Sequence, residues 1–168
     1  MSDELSAERF RDAVSRFPTG LVVVSCRLSG VDHAMTASSF VALSLEPLLV
    51  MVSIERSTRF HEAAVGAGEW GVSILPESAV PTARWFATKG RPLRGQFGKV
   101  PHHRGAVTGA ALVDGAPAAL ECRTWAIYPA GDHTLLVGEV LALEVAPDVA
   151  RPLLYHRRAY RTLGPDPA

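Results

Sequence analysis

The sequence predicts a mainly β chain: an antiparallel β-barrel carrying a few short helices. Three observations lead there. Apolar, β-branched runs of strand length recur about six times along the 168 residues, whereas patterns of helical period are few and short. The strands follow one another in runs and do not alternate strictly with helices, which disfavours a parallel sheet. The last third carries two runs of about ten residues joined by turn chemistry, the pattern of a long, bent hairpin.

Composition bounds the rest. With 48% hydrophobic and 20% charged residues, the chain reads as one compact domain over residues 1–168, its core at about 7–163. A domain this long buries roughly 70% of the surface its unfolded chain exposes, so it needs no metal or disulfide to build a core. Lys and Arg number 17 against 17 Asp and Glu. That balance removes the electrostatic attraction a nucleic-acid or membrane-surface binder uses. Cys26 and Cys122 lie in apolar strand-like runs and read as reduced structural thiols. Residues 1–16 mix Asp3, Glu4, Glu8, Arg9 and Arg11 with apolar residues and show no continuous apolar leader, and no later stretch reaches about 18 uncharged apolar residues. A cytoplasmic location is expected.

The elements follow in order. Ser6 can cap a helix whose apolar positions Ala7, Phe10, Val14 and Phe17 recur at helical steps until Pro18. Leu21 to Cys26 is a buried strand ending at a Ser29-Gly30 turn, and His33-Ala34-Met35 begins a returning strand. The small and hydroxyl residues Thr36 to Ser39 interrupt it. Leu48 to Ile54, apolar on both faces, is expected to be a central strand. Ser57 or Thr58 caps a helix carrying Phe60, Ala63 and Ala64, stopped by Gly66 and Gly68. Trp70 to Leu75 is the next strand, and a helix over about Ser78 to Thr88 aligns Val80, Ala83, Phe86 and Ala87. Residues 89–109, with five glycines and two prolines, read as an ordered functional loop or cover. Ala118 to Tyr128 and His133 to Val145 form the long hairpin.

Several motif readings fail on context. Gly66-Ala67-Gly68-Glu69-Trp70-Gly71 matches the dinucleotide fingerprint by letter, but a helix precedes it and a strand follows, the reverse of what a pyrophosphate site needs. Gly98-Lys99 lacks the other residues of a P-loop, the six histidines show no metal-ligand spacing, and no G-x-S-x-G is present. What remains is a set of small and hydroxyl residues at strand and helix ends: Thr19, Thr36, Ala37, Ser38, Ser39, Ser53, Ser57 and Thr58. Together they can cradle a flat polar ring and a phosphate, with a helix N-terminus facing the anion. Ordinary turns and caps are the alternative reading.

At these residues the sequence resembles the flavin reductase-like family, the reductase components of two-component flavin monooxygenases. The matching stretches include Phe10-Arg11-Asp12-Ala13, Phe17-Pro18-Thr19-Gly20, Met35 to Phe40, Leu43 to Val50, Leu120-Glu121-Cys122 and Gly131-Asp132-His133. Val137 to Val140, Pro152 to Tyr155 and Tyr160 to Leu163 complete them, in family order over about residues 7–163. The resemblance implies an FMN-binding split barrel, a homodimer, FMN or FAD as the flavin, NADH or NADPH as reductant, and reduced flavin passed to a separate oxygenase.

It also implies site residues. Thr36, Ala37, Ser38 and Ser39 would run along the flavin ring and ribityl chain with Thr19 nearby. Ser53, Ile54, Ser57 and Thr58 would lie at the ribityl and phosphate end, closed by Phe86 and Lys89. His133 would lie by the nicotinamide, as a guide or as a turn residue packed on Asp132, and Tyr155 and Tyr160 would border that pocket. Arg84, Arg91, Arg94 and Arg104 are candidates for a 2′-phosphate. Three functions stay open: a flavin reductase, a flavin-holding enzyme acting on an organic substrate, and a non-catalytic flavin-binding module.

Overall fold

The computed structural model describes residues 5–147 and 150–165; the first four residues of the segment read above as lacking an apolar leader lie outside it. The chain runs α1 (Ala7–Ser15), β1 (Thr19–Gly20), β2 (Val22–Leu28), β3 (Val31–Ala37), β4 (Val41–Leu45), β5 (Leu48–Glu55), α2 (Arg59–Ala67) and β6 (Glu69–Ile74). A 3-10 turn (Glu77–Ala79) leads into α3 (Val80–Ala87). There follow β7 (His102–Arg104), β8 (Ala111–Val113), β9 (Ala118–Ala130), β10 (His133–Val145), β11 (Leu154–His156) and β12 (Ala159–Arg161).

Seven strands form one antiparallel sheet in the order β3-β2-β6-β9-β10-β5-β4. Its two end strands, β3 and β4, are consecutive in sequence, so the barrel is split where the chain crosses from one to the other. Ser39 laces the split: its hydroxyl donates to the Ser53 carbonyl at 2.9 Å and accepts from the Ser53 N–H at 3.1 Å. The short β1-β11-β12 sheet and the β7-β8 hairpin lie outside this sheet.

Both faces of β2 are buried. Val22, Val24 and Cys26 enter a core with Trp70, Val72, Ile54 and the α2 residues Phe60, Ala63 and Ala64. Leu21 and Val23 face a second core with Leu75, Ala83, Phe86, Phe97 and Leu153. The expectation that Leu48 to Ile54 is central and buried on both faces is corrected here. β5 lies next to the end strand β4, and only alternate residues Val50, Val52 and Ile54 are buried, while Leu49, Met51 and Ser53 on the opposite face are half-buried. Among the described residues the outer face of β5 is only partly covered, so the pleat shows one buried side and one half-buried side. Of the stripe expected on α3, Ala83 and Phe86 are buried and Ala87 is exposed. The helix over Ala7–Ser15 forms with Ser6 as its cap, accepting from the Arg9 N–H at 3.2 Å, yet it buries none of its residues.

Gly68 ends α2 at φ 72°, a left-handed cap, as the helix-stop reading of the glycine motif requires. At Gly138, on the bulged part of β10, a Cβ would lie 2.3 Å from Trp70 Cζ2, so only glycine lets the indole fill the core centre. Cys26 and Cys122 are free and buried. They face Trp70 from the two neighbouring strands and so stand two strand spacings apart, about 10 Å, too far for a disulfide. Burial pushes each thiol up to about 12, with Asp32 adding for Cys26 and Glu121 for Cys122. Glu121, 3% exposed, accepts from the Val107 and Thr108 N–H groups and from the Thr108 hydroxyl, tying residues 105–109 to β9. No helix among the described residues is long and apolar enough to cross a membrane.

Candidate functional site

A cavity of about 400 Å³ opens between β3, the start of α2 and the exit of α3. Its walls come from three local signals. β3 contributes His33 to Thr36, the β5–α2 junction contributes Glu55 and Ser57 to Phe60, and Phe86 to Arg91 with Leu93 and Gln96 form the roof.

Polar groups are set out around it. Thr58 caps α2, its hydroxyl accepting from the His61 N–H at 3.3 Å and donating to the Glu55 carbonyl at 2.8 Å. The unpaired N–H groups of the first turn therefore face the cavity mouth with the positive end of the helix dipole. The Thr36 hydroxyl donates to the Ala83 carbonyl at 2.7 Å, which leaves its oxygen free only as an acceptor. Three cations line the cavity, Arg59, Lys89 and Arg91, against one carboxylate, Glu55. Glu55 is occupied by the Ser57 hydroxyl at 2.5 Å. Among the described residues Arg16, Arg104, Arg123 and Arg151 meet carboxylates, whereas the two arginines of the cavity, Arg59 and Arg91, are bonded to carbonyls. Burial, with Arg59 alongside, pulls the Arg91 pKa down, and the Arg91 Nε is buried without a partner. Burial also lowers His33, opposed by Asp32. An uncompensated cluster of cations at a helix N-terminus is a site for an anion.

The structure distributes the residues expected from sequence as follows. Thr36, Ser57, Thr58, Phe86 and Lys89 line this one cavity. Ala37 and Ile54 turn their side chains into the core, so only their backbone can meet a ligand. Ser39 and Ser53 are bonded to each other across the split, and Ser38 is exposed in the bend beside them. Thr19 pairs with Tyr155 on the small sheet, whose ring meets Tyr160 edge-on at 5.6 Å with Arg84 over the Tyr160 face. His133 stands opposite Glu55 in the β10–β5 ladder, one strand from the cavity wall, and contacts Asp132 Oδ1 through Nδ1 at 2.7 Å. Arg104, a 2′-phosphate candidate by sequence, is bound bidentately to Asp32 at 2.6 and 2.7 Å and is therefore taken. Sequence reasoning missed Arg59 and Gln96. Arg59 had a local signal, its place just after the Thr58 cap; Gln96 had none.

A split antiparallel barrel with an anion-ready cavity beside β3 defines a class of ligand-binding barrel domains. Residues 14–164 match the flavin reductase like domain, and the chain belongs to that family. It is 38% identical over 156 residues to the reductase component of 4-hydroxyphenylacetate 3-monooxygenase from Thermus thermophilus, covering 93% of this chain and 96% of that one. It is 38% identical over 158 residues to an NADH-dependent FMN reductase from Streptomyces nodosus subsp. asukaensis, covering 92% and 83%. The fold superposes on an NADH:FAD oxidoreductase of Streptomyces globisporus, solved in complex with NAD and FAD fragments, with a TM-score of 0.90 at 31% identity over 98% of this chain and 99% of that one.

The cavity fits a flavin mononucleotide moiety on its own terms. Its volume lies within the range of about 300–1,000 Å³ usual for such ligands. Its lining combines the cations Arg59 and Lys89, suited to a phosphate, with apolar Met35, Phe60 and Phe86 and the Thr36 oxygen, suited to a ring and polyol.

Proposed function

We propose that this chain is an NAD(P)H:flavin oxidoreductase. It moves hydride from a reduced nicotinamide to FMN or FAD and supplies the reduced flavin to a separate oxygenase component. Family membership and relatives whose names carry this activity support the reading. The observation that carries it is the pair Arg59 and Lys89, which among the described residues meet no carboxylate, on a cavity of nucleotide size at the start of α2.

The flavin, when bound, supplies the hydride-accepting ring, so the protein needs no acid–base pair. The chain's residues bind and orient. Arg59, Lys89 and the first-turn N–H groups of α2 hold the phosphate, Thr36 accepts from the ribityl chain, and Phe86 packs one side. Ser38 and Ser39, at the seam, lie beyond the lining and serve the ring near its pyrimidine edge through their backbone groups and the Ser38 hydroxyl, the Ser39 hydroxyl being bonded to Ser53. His133 guides the nicotinamide, its Nδ1 oriented by Asp132 so that Nε2 is free to bond the carboxamide. Tyr155 and Tyr160 border the same approach.

The deciding experiment is NAD(P)H oxidation by the purified chain with and without added FMN or FAD. Turnover that depends on free flavin is expected. A tightly held, non-exchanging flavin would favour an enzyme acting on an organic substrate, and absence of both would leave a binding module. In the same assay His133→Ala is expected to raise the nicotinamide KM or lower kcat about tenfold, with the flavin dissociation constant changed less than about twofold. Equal loss of flavin binding would reassign His133 to the flavin site.

We further infer a homodimer of single-domain protomers, residues 1–168, in the cytoplasm. α1 leaves Phe10, Val14 and Phe17 at 63%, 49% and 73% exposure, and the outer strands add Leu45 at 86% and Leu48 at 45%. A helix that buries nothing in its own chain is stable only against a partner. Sedimentation is expected to give a dimer, and the double change Phe10→Glu and Phe17→Glu a monomer; a wild-type monomer at micromolar concentration refutes the inference.

A further inference from the structure

β3 ends the seven-stranded sheet, so the backbone groups along its outer edge have no strand beside them. At Ala34 two side chains stand where that strand would be. The Ala34 N–H donates to Gln96 Oε1 at 3.3 Å, and the Ala34 carbonyl accepts from Arg91 Nη2 at 2.7 Å. Gln96 is 5% exposed; its amide also donates to the Leu93 carbonyl at 3.4 Å, and its own backbone carbonyl accepts from Trp85 Nε1 at 2.7 Å. Arg91 reaches the other way as well, donating to the Phe86 carbonyl at 2.6 Å and to the Thr88 carbonyl at the exit of α3. Three of its five N–H groups are thus spent on the chain's own carbonyls. Arg59 donates to the Arg91 backbone carbonyl at 2.6 Å, a bond that does not involve Ala34.

The consequence is a clasp. It joins the wall Ala34-Met35-Thr36 to the roof of the same cavity through one residue's N–H and C=O. Packing holds part of this join, since Ala34 shares a buried cluster with Phe86 and Phe97, but Ala87 to Gly90 of the roof are exposed. Over that exposed stretch the hydrogen bonds to Ala34 add the constraint on the spacing between wall and roof, the spacing a planar ring has to enter.

We propose that Arg91 and Gln96 are positioning residues for the flavin ring: by clasping Ala34 they fix the gap between β3 and the roof, and Arg91 acts there as a brace, not as a phosphate ligand. The proposal rests on the flavin reading above. A ring misplaced by a loosened wall loses affinity whether or not it carries a phosphate, which separates the two roles.

The test uses the full chain with Arg91→Ala and Gln96→Leu, measuring dissociation constants for FMN and for riboflavin by flavin fluorescence, together with kcat and flavin KM. Gln96→Leu is included because it leaves every cation in place and keeps the test alive if Arg91→Ala does not fold. Both variants are expected to weaken FMN and riboflavin alike, about tenfold, with flavin KM rising in step and kcat at saturating flavin within about threefold of wild type. Loss confined to FMN would make Arg91 a phosphate ligand and overturn the proposal, as would unchanged affinity for both flavins in Gln96→Leu. Wild-type protein that binds neither flavin would instead remove the flavin reading itself, a result visible before any substitution is made.

Discussion

Alanine at both Arg59 and Lys89 is expected to raise the dissociation constant for FMN roughly 100-fold while changing that for riboflavin less than about threefold. Both cations line the cavity, and neither meets a carboxylate among the described residues. Each charge-assisted contact to a phosphate at a solvent-exposed site is worth about 1.4 kcal/mol, a tenfold step, and two such contacts give the hundredfold. Solvent screening makes the difference salt-dependent, so the FMN penalty is expected to shrink as ionic strength approaches about 1 M, where the Debye length is near 3 Å. Titration of each flavin at low and high salt checks this. A riboflavin penalty as large as that for FMN would place the phosphate elsewhere.

Glu121→Ala is expected to cost about 3 kcal/mol of stability, a fall in Tm of roughly 6–12 °C for a domain of this size. The carboxylate is buried, and removing it strands the Val107 and Thr108 N–H groups and the Thr108 hydroxyl away from water. Burial opposes the charged form of Glu121, but the bonds from Thr108, Val107 and Ala106 together outweigh it and hold the carboxyl below its usual range. A group whose folded pKa is depressed contributes stability above its unfolded pKa, about 4.3 for Glu, and loses it as pH falls through the folded value. The gap between wild type and Glu121→Gln is therefore expected to be full at pH 7 and to close below about pH 4. Thermal melts of the two proteins across that window measure it, and a gap that persisted unchanged at acid pH would show that packing, not charge, carries the site.

Local signals gave most of the fold and a smaller part of the cavity. The Thr58 cap, the Phe60, Ala63 and Ala64 stripe and the Gly68 stop are all readable within ten residues of chain, and α2 forms as they require. Cap and hydroxyl chemistry likewise brought Thr36, Ser57 and Thr58 to one cavity. β5 misled because its second face is only half covered by its own chain, and a sequence does not distinguish a fully covered face from a partly covered one. The Arg91 and Gln96 contacts with Ala34 join residues 57 and 62 positions apart. An arginine and a glutamine in a glycine-rich loop carry no sign that they will stand in for a missing strand. His133 was legible as the first residue after a turn, but its place opposite Glu55 depends on the register of two strands far apart in the chain.

The three tryptophans occupy three different surroundings. Trp70 is sealed in the core, Trp125 is 56% exposed, and Trp85 is half-buried with its indole N–H bonded to the Gln96 carbonyl. Each therefore emits from a separate environment, and a chain retaining Trp85 alone would carry an optical gauge on the roof segment. Its emission would report on the surroundings of that segment when a ligand enters the cavity, without any label added to the molecule.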